Sequence, residues 1–357
     1  MKVFKCQNCA HPVYFENTKC LQCGSSLGFE YQSSHLVALI LTANGLEEYG
    51  VPGKVVKYCA NHEYDVCNWL IHAEDARNLC EACTLNQKIP NLQNTNNIEA
   101  WRRTENAKHR LIYSLNKLNL PILSKSLSPN NGLAFEFLAD QDHPMVADKE
   151  KTVKTGHENG KITLNIAEAD VVYREKTRAL LKEDYRTLIG HFRHEIGHYY
   201  WDQLVWNDYK TLEMYRNLFG DERADYTSAL NRYYAFGPAA NWNFSHISAY
   251  ASSHPWEDWA ESWAHYMHFV DTLESAYSFG ISLQPRLNSV VSVSTNIDFD
   301  PYEEKDFNRI IDAYLPLTFA VNSINRSMGI QDLYPFVTHN AVLDKMKFIH
   351  NLIHGQL

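Results

Sequence analysis

Residues 191–204 read HFRHEIGHYYWDQL and set His194, Glu195 and His198 in the order H-E-x-x-H inside an apolar, helix-compatible run. Two histidines four apart on an α-helix lie on one face and aim imidazole nitrogens at one ion, while the glutamate beside the first faces a metal-bound water. The spacing predicts a zinc hydrolase. From Tyr185 to Leu204 the apolar residues Leu188, Ile189, Phe192, Ile196 and Tyr199 project opposite His194 and His198, with Glu195 at the margin, as a helix buried under a site requires. Gly190 and Gly197 share a side, and each costs about 1 kcal/mol against Ala inside a helix, so a closely packed neighbouring backbone is the expected compensation. The plain alternative is a pair of buried core histidines.

Two histidines do not complete a catalytic zinc site, which takes a third protein ligand. In HPWEDWAESWAHYMH, residues 254–268, Glu257, Glu261, Ala264 and His268 share one face of a helix opened by Pro255 and running to about Thr272. Trp259, Trp263, Tyr266 and Val270 occupy the other face. Glu257 is the candidate ligand, and Glu261, one turn on, is placed to accept a hydrogen bond from a ligand imidazole. The rivals are Asp221, Glu222 and Asp225 in DERAD, whose ordinary use would be to cap a helix. Asp202 and His254 are candidates for supporting the ligands or binding substrate, or else a helix-surface acid and an N-cap.

All eight cysteines lie before residue 85. Cys6-x-x-Cys9 and Cys20-x-x-Cys23 form two knuckles whose four thiolates suit structural zinc. Cys59, Cys67, Cys80 and Cys83 make a second four-thiolate set; His62, in C-x-x-H spacing with Cys59, either replaces a thiolate or hydrogen-bonds one. Such segregation fits a reduced protein with a zinc module at one end better than a secreted disulfide framework. Residues 27–58, β-branched clusters broken by Gly and Pro, read as short strands. As far as Lys88, seven Lys and Arg oppose nine Asp and Glu, which disfavours a DNA-binding ribbon.

The 357 residues carry a net charge of −9, which argues against broad nucleic-acid binding, and eight Trp with 21 Tyr suit a heavily packed enzyme. The N-terminus has no apolar signal region, and HLVALILTANG, residues 35–45, is too short to span a bilayer, so a cytoplasmic protein without membrane contact is expected. After a polar linker at 84–95, a helix over 97–118 shows a basic, solvated face at Arg102, Arg103, Lys108 and Arg110. Strand-like runs follow at Leu133–Leu138, Lys151–Thr155 and Lys161–Ile166. Thr163, Leu164 and Asn165 in the last run are candidates for an edge strand that pairs with extended substrate, a plain core strand being the equal alternative. Further helices are expected at Tyr209–Leu218, Asp221–Tyr234, Glu303–Tyr314 and Ala341–Ile353.

The H-E-x-x-H helix followed by E-D-W-A-E resembles the gluzincin metallopeptidases, whose third ligand is Glu. The run Y-x6-E-x-x-A-E, here Tyr250, Glu257, Ala260 and Glu261, is similar to their lethal-factor-like branch and implies that Tyr250 assists the transition state. A packed loop tyrosine is the plain reading of Tyr250, and His254 is the substitute donor. CNWL, AKHRLIYSLNKL, GKITLNIAEAD, YRTLIGHFRHEIGHYYWD, LFGDERADY and HPWEDWAESWAHY together resemble the bacterial zinc-ribbon, zinc-binding metallopeptidases. The expected architecture is α+β: a zinc-ribbon-like module with short strands over 1–90, then a mainly helical, gluzincin-like zincin domain with a small sheet over 91–357. One catalytic and two structural zinc ions follow, with a peptide or protein as substrate and a possible protein partner at the zinc module. In the expected reaction Glu195 is general base. The alternatives are a peptide-binding module that does not cleave, or hydrolysis of a non-peptide amide.

Overall fold

The computed structural model describes residues 2–140, 153–181, 187–286 and 293–357. They divide into two compact units, Met1–Thr177 and Arg178–Leu357.

In the first unit, β1 (Phe4–Lys5) and β2 (Pro12–Val13) pair antiparallel around the first cysteine knuckle. A five-stranded antiparallel meander follows: β3 (Ser26–Glu30), β4 (His35–Thr42), β5 (Gly45–Glu48), β6 (Val55–Tyr58) and β7 (Leu70–His72). Val37, Leu39, Val56 and Leu70 form its buried cluster. The expected strands over 27–58 are present. A second, mixed sheet has the order β10-β11-β9-β8, formed by β8 (Asn86–Lys88), β9 (Ala134–Leu138), β10 (Gly156–Glu158) and β11 (Lys161–Asn165). Of the expected run at Lys151–Thr155, residues 151–152 lie outside the described part and 153–155 form no strand; β10 begins just after.

Helix α1 (Thr95–Lys117) starts at Asn94, whose side chain accepts from Asn96 N. Trp101, Leu111, Ile112, Tyr113 and Leu115 bury its apolar stripe. Tyr113 packs at 5.5 Å from Phe15 and 6.0 Å from Phe29, ring centroid to centroid, so α1 shares a core with the cysteine module. The compact division at Thr177 accordingly keeps α1 with the cysteine module. Lys108 corrects the expectation of a wholly solvated basic face, since it is fully buried against Glu105. Helix α2 (Val171–Leu181) runs across the division.

The second unit is helical. It comprises α3 (Leu188–Leu204), α4 (Tyr209–Phe219), α5 (Tyr226–Phe236), α6 (Pro255–Ser278), α7 (Phe307–Ser327) and α8 (Asn340–Ile353), with a small hairpin of β12 (Ser282–Leu283) and β13 (Thr295–Asn296). Sequence periodicity places every one of these helices, but several bounds differ, α6 among them, which runs on to Ser278 rather than ending near Thr272. Asp221 and Glu222 stand ahead of α5, because Asp225 caps it by accepting from Ser228 N. Helix α7 continues through Pro316, which is accommodated within it. No helix among the described residues is long and apolar enough to cross a membrane.

Helix α6 is the axis of this unit, and α3, α4, α7 and α8 all pack on it. Trp259, Trp263, Tyr266 and Phe269 are completely buried along it. Against α3 the helices approach closely at Gly197, where an added Cβ would lie 3.1 Å from Ala260 Cα and 3.2 Å from Trp263 Cβ. Trp259 Nε1 donates to the Gly197 carbonyl at 2.8 Å across the same contact. Overpacking costs about 1 to 3 kcal/mol, against about 1 kcal/mol gained from alanine's helix preference, so Gly197→Ala should lower stability by on the order of 1 kcal/mol. Denaturant midpoints measure it. A stabilised variant would show the contact to be loose.

Candidate metal centre

Helix α3 begins at Thr187, whose hydroxyl accepts from Gly190 N at 3.0 Å, and this cap fixes the phase that points His194 and His198 toward α6. On α6, Pro255 occupies the first turn and His254 caps the end, so Glu257 projects from the first turn of the helix. The three side chains meet: Glu257 Oε2 lies 3.0 Å from His194 Nε2 and 3.6 Å from His198 Nε2. One donor atom from each falls within 4.8 Å of the others.

The hydrogen-bonding around this cluster decides what it can hold. Glu261 Oε1 stands 2.7 Å from His194 Nδ1, and a carboxylate only accepts, so Nδ1 carries the proton. His194 Nε2 then presents a lone pair toward Glu257 Oε2, which is itself buried with no hydrogen-bond donor. Lone pairs converging in a site where Glu257 is 1% exposed require a cation. Either a second proton or a metal ion satisfies them. In the protein alone, burial opposes charge on His194, but Glu257 and Glu261 hold its pKa well above the usual range. Burial likewise opposes charge on Glu257, and His198 and His194 overcome it, drawing that carboxyl well below its ordinary value. Two imidazoles and one carboxylate make a donor set that suits zinc.

The surrounding groups hold these side chains still. Ser248 donates to Glu261 Oε2 at 2.6 Å and in turn accepts from Ala251 N. Tyr226, on α5, donates to Glu257 Oε1 at 2.5 Å, which occupies one carboxylate oxygen and leaves Oε2 for the cluster. Behind α3, buried Arg193 bonds His268 and Asp271 on α6. Trp256 packs on His198 with ring centroids 3.9 Å apart.

Glu195 is half-buried beside His194, and its charge helps raise the phenols of both Tyr226 and Tyr250. Tyr250 lies 6.0 Å from the His194 ring, centroid to centroid, and burial with the Glu257 charge keeps its hydroxyl protonated well above the ordinary phenol range. Asp202, one turn past His198, is pushed up to about 6 by burial, with His198 pulling the other way.

Several candidates are placed elsewhere. Asp221 is taken by Arg223, Glu222 by Arg216, and Asp225 by the α5 cap. His254 accepts from Trp256 N through Nδ1 and faces the Ala224 carbonyl through Nε2, so it is the N-cap and keeps no donor for an oxyanion. The edge-strand expectation for Thr163, Leu164 and Asn165 is corrected: β11 lies inside its sheet. All three pair with β9, Thr163 also pairs with Gly156 of β10, and Asn165 N donates to Thr155 Oγ1. Tyr226, Ser248 and Trp256 are the site residues that sequence reasoning missed. The only signal for Tyr226 was its place at the end of LFGDERADY.

In the first unit the cysteines assemble as two tetrads, and none is in a disulfide. Cys6 and Cys23 sulfurs are 3.7 Å apart, and Cys9 and Cys20 3.6 Å. Thiolates at the corners of a tetrahedron around zinc stand about 3.8 Å apart, from a Zn–S distance of about 2.3 Å. Cys67 and Cys80 match at 3.7 Å in the second tetrad. His62 is not among its donor atoms; Nδ1 bonds the Cys67 carbonyl at 2.9 Å and the ring stacks on Tyr58. His109, from α1, approaches the second tetrad instead.

A family model described as "Putative zinc-binding metallo-peptidase" matches residues 97–352, and a zinc-ribbon domain model matches residues 3–94. The chain belongs to this metallopeptidase family. Proteins of Mycobacterium tuberculosis and Mycobacterium bovis, both described as uncharacterized, are each 42% identical to this metallopeptidase-family chain over 353 residues, 99% of it and 95% of theirs. No solved structure gives a significant match. Membership in this zinc-binding family, together with the two tetrads, makes zinc the metal of this protein.

Proposed function

We propose that the chain is a cytoplasmic, gluzincin-type zinc peptidase that hydrolyses peptide bonds at the cluster of His194, His198 and Glu257. The observation that carries the reading is Glu257 Oε2, buried without a donor and facing two imidazole nitrogens. Zinc held there supplies a Lewis acid and brings the pKa of water to about 7. Glu195 takes the proton of the attacking water and returns it to the leaving amine. Tyr250 keeps its phenolic proton and donates a hydrogen bond to the oxyanion developing on the scissile carbonyl. Glu261 and Ser248 fix His194 in the tautomer that leaves Nε2 free to bind, and Tyr226 presents Glu257 through one oxygen. The two tetrads would hold structural zinc, and eight cysteines with no disulfide among them support a reducing compartment. The partner is a peptide or protein substrate, with the zinc module as a second surface for protein recruitment.

Metal analysis tests the reading. The purified chain should hold three zinc ions, of which the one at the histidines leaves first under a chelator. Glu257→Ala should hold two and cleave nothing in a mixed-sequence peptide library. Three ions in that variant would remove Glu257 from the site. A wild-type chain with three ions that binds peptides from the library and cuts none would establish a binding protein instead.

A further inference from the structure

The two tetrads differ in what surrounds their sulfurs. In the first, Cys23 is exposed and Cys9 half-buried, and Ser25 Oγ stands 3.2 Å from Cys23 Sγ, so water and a hydroxyl solvate the thiolates. All four cysteines of the second are buried. Zinc with four thiolates carries a net charge of −2, and in a buried site that charge must be met by donors from the protein. The cysteine module supplies two: Trp69 N donates to Cys67 Sγ and Cys80 N to Cys59 Sγ, each at 3.4 Å. The remaining approach comes from outside it. His109 Nε2 stands 3.5 Å from Cys67 Sγ and 3.7 Å from Cys83 Sγ, with the imidazole packed 5.0 Å from the Trp69 ring, centroid to centroid.

We infer that His109 is a positioning residue of the second zinc site, donating its Nε2 hydrogen to the Cys67 and Cys83 thiolates, and that this contact fastens α1 to the cysteine module. The neighbouring groups on α1 are arranged to leave that hydrogen for sulfur. Glu105 Oε2 is 3.9 Å from His109 Nε2, beyond hydrogen-bond reach, and is engaged by Lys108 Nζ at 2.7 Å. Glu105 Oε1 accepts from Trp101 Nε1 at 3.0 Å and from Asn86 Nδ2 at 2.5 Å. Lys108, itself fully buried, also donates to Asn86 Oδ1 at 2.5 Å. The buried cation and its carboxylate balance each other within a few ångströms of the tetrad. His109 lies beyond the residues matched by the zinc-ribbon domain and within those matched by the metallopeptidase family. The second zinc therefore joins the two family segments through one side chain.

Transfer of zinc from the full chain to a chromophoric chelator separates the sites by rate, with the buried tetrad as the slowest phase. His109→Ala should speed that phase by about 10- to 100-fold, the usual effect of losing an outer hydrogen bond to a metal ligand, and leave the faster phases unchanged. His109→Gln, which places an amide donor near the same sulfurs, should stay close to the wild-type rate. If the Ala variant does not fold, His109→Phe fills the space without a donor and is expected to show the same acceleration. An unchanged slow phase in both Ala and Phe variants overturns the inference. Equal acceleration in the Gln variant also overturns it, because His109 would then be acting as a ligand, in the alternative group of Cys83, Glu105 and His109.

Discussion

Glu195→Gln should leave every zinc ion in place and lower the proposed peptide hydrolysis by about 100- to 10,000-fold, the range that a general base contributes. The expectation follows from where Glu195 sits. It shares α3 with His194 and His198 but is not one of the three side chains whose donor atoms converge, so changing its charge does not dismantle the cluster. Glutamine keeps the length and one acceptor oxygen but is uncharged, carries an NH2 donor in place of the second oxygen and cannot take a proton. Steady-state turnover beside zinc content separates the roles: activity falls with zinc retained for Glu195, and the two fall together for Glu257. Loss of zinc from the Gln variant would make Glu195 part of the metal's support. Unchanged turnover would place the base elsewhere.

Lys345→Met destabilises the second unit by about 3 to 5 kcal/mol, because removing one member of a buried ion pair strands the other. Lys345 Nζ donates to Asp258 Oδ2 and to the Ser245 carbonyl, each at 2.5 Å, and neither charged side chain is more than 6% exposed. Burial pushes the Asp258 carboxyl up to about 7 even with Lys345 pulling it down. An acid whose folded pKa is raised above its unfolded value favours the folded state while protonated, and that contribution is lost as pH rises through the window between the two. Without Lys345 the folded pKa climbs further, so the variant's deficit should be smaller near about pH 5 than near about pH 8. Urea midpoints at both pH values, with zinc held constant, check it. A deficit that grew toward low pH would mean that Lys345, not Asp258, dominates the pair.

What the sequence made legible was periodic or covalently close. The helical phase of His194 and His198, the four-residue step from Glu257 to Glu261 and the cysteine knuckles follow from local geometry, and the chain folds them as their spacing requires. Tyr226 was illegible because it meets Glu257 across 31 residues of chain, from a helix whose own pattern gives no reason to single out its first residue. Lys108 was masked by composition, because in a helix bearing Arg102, Arg103 and Arg110 one more basic residue reads as part of a wet face, and His109 beside it carried no spacing signal that singled it out. Their burial depends on the cysteine module packing over α1, which no period along α1 encodes. β11 stayed undecided between edge and core for a related reason. Its own residues suit an edge or an interior equally, and only pairing with β10 and β9 distinguishes them.

Helix α5 has no buried residue anywhere along its length, yet its first residue holds the one carboxylate of the cluster formed by His194, His198 and Glu257. Segments with so little apolar contact open by local unfolding at low free energy, well before the surrounding core does. Each such opening releases Tyr226 from Glu257 and frees the second carboxylate oxygen to swing toward the two imidazoles. Ion binding that draws Glu257 toward the imidazoles should therefore change the protection of α5 amides from solvent exchange, and the two are measurable on the same sample.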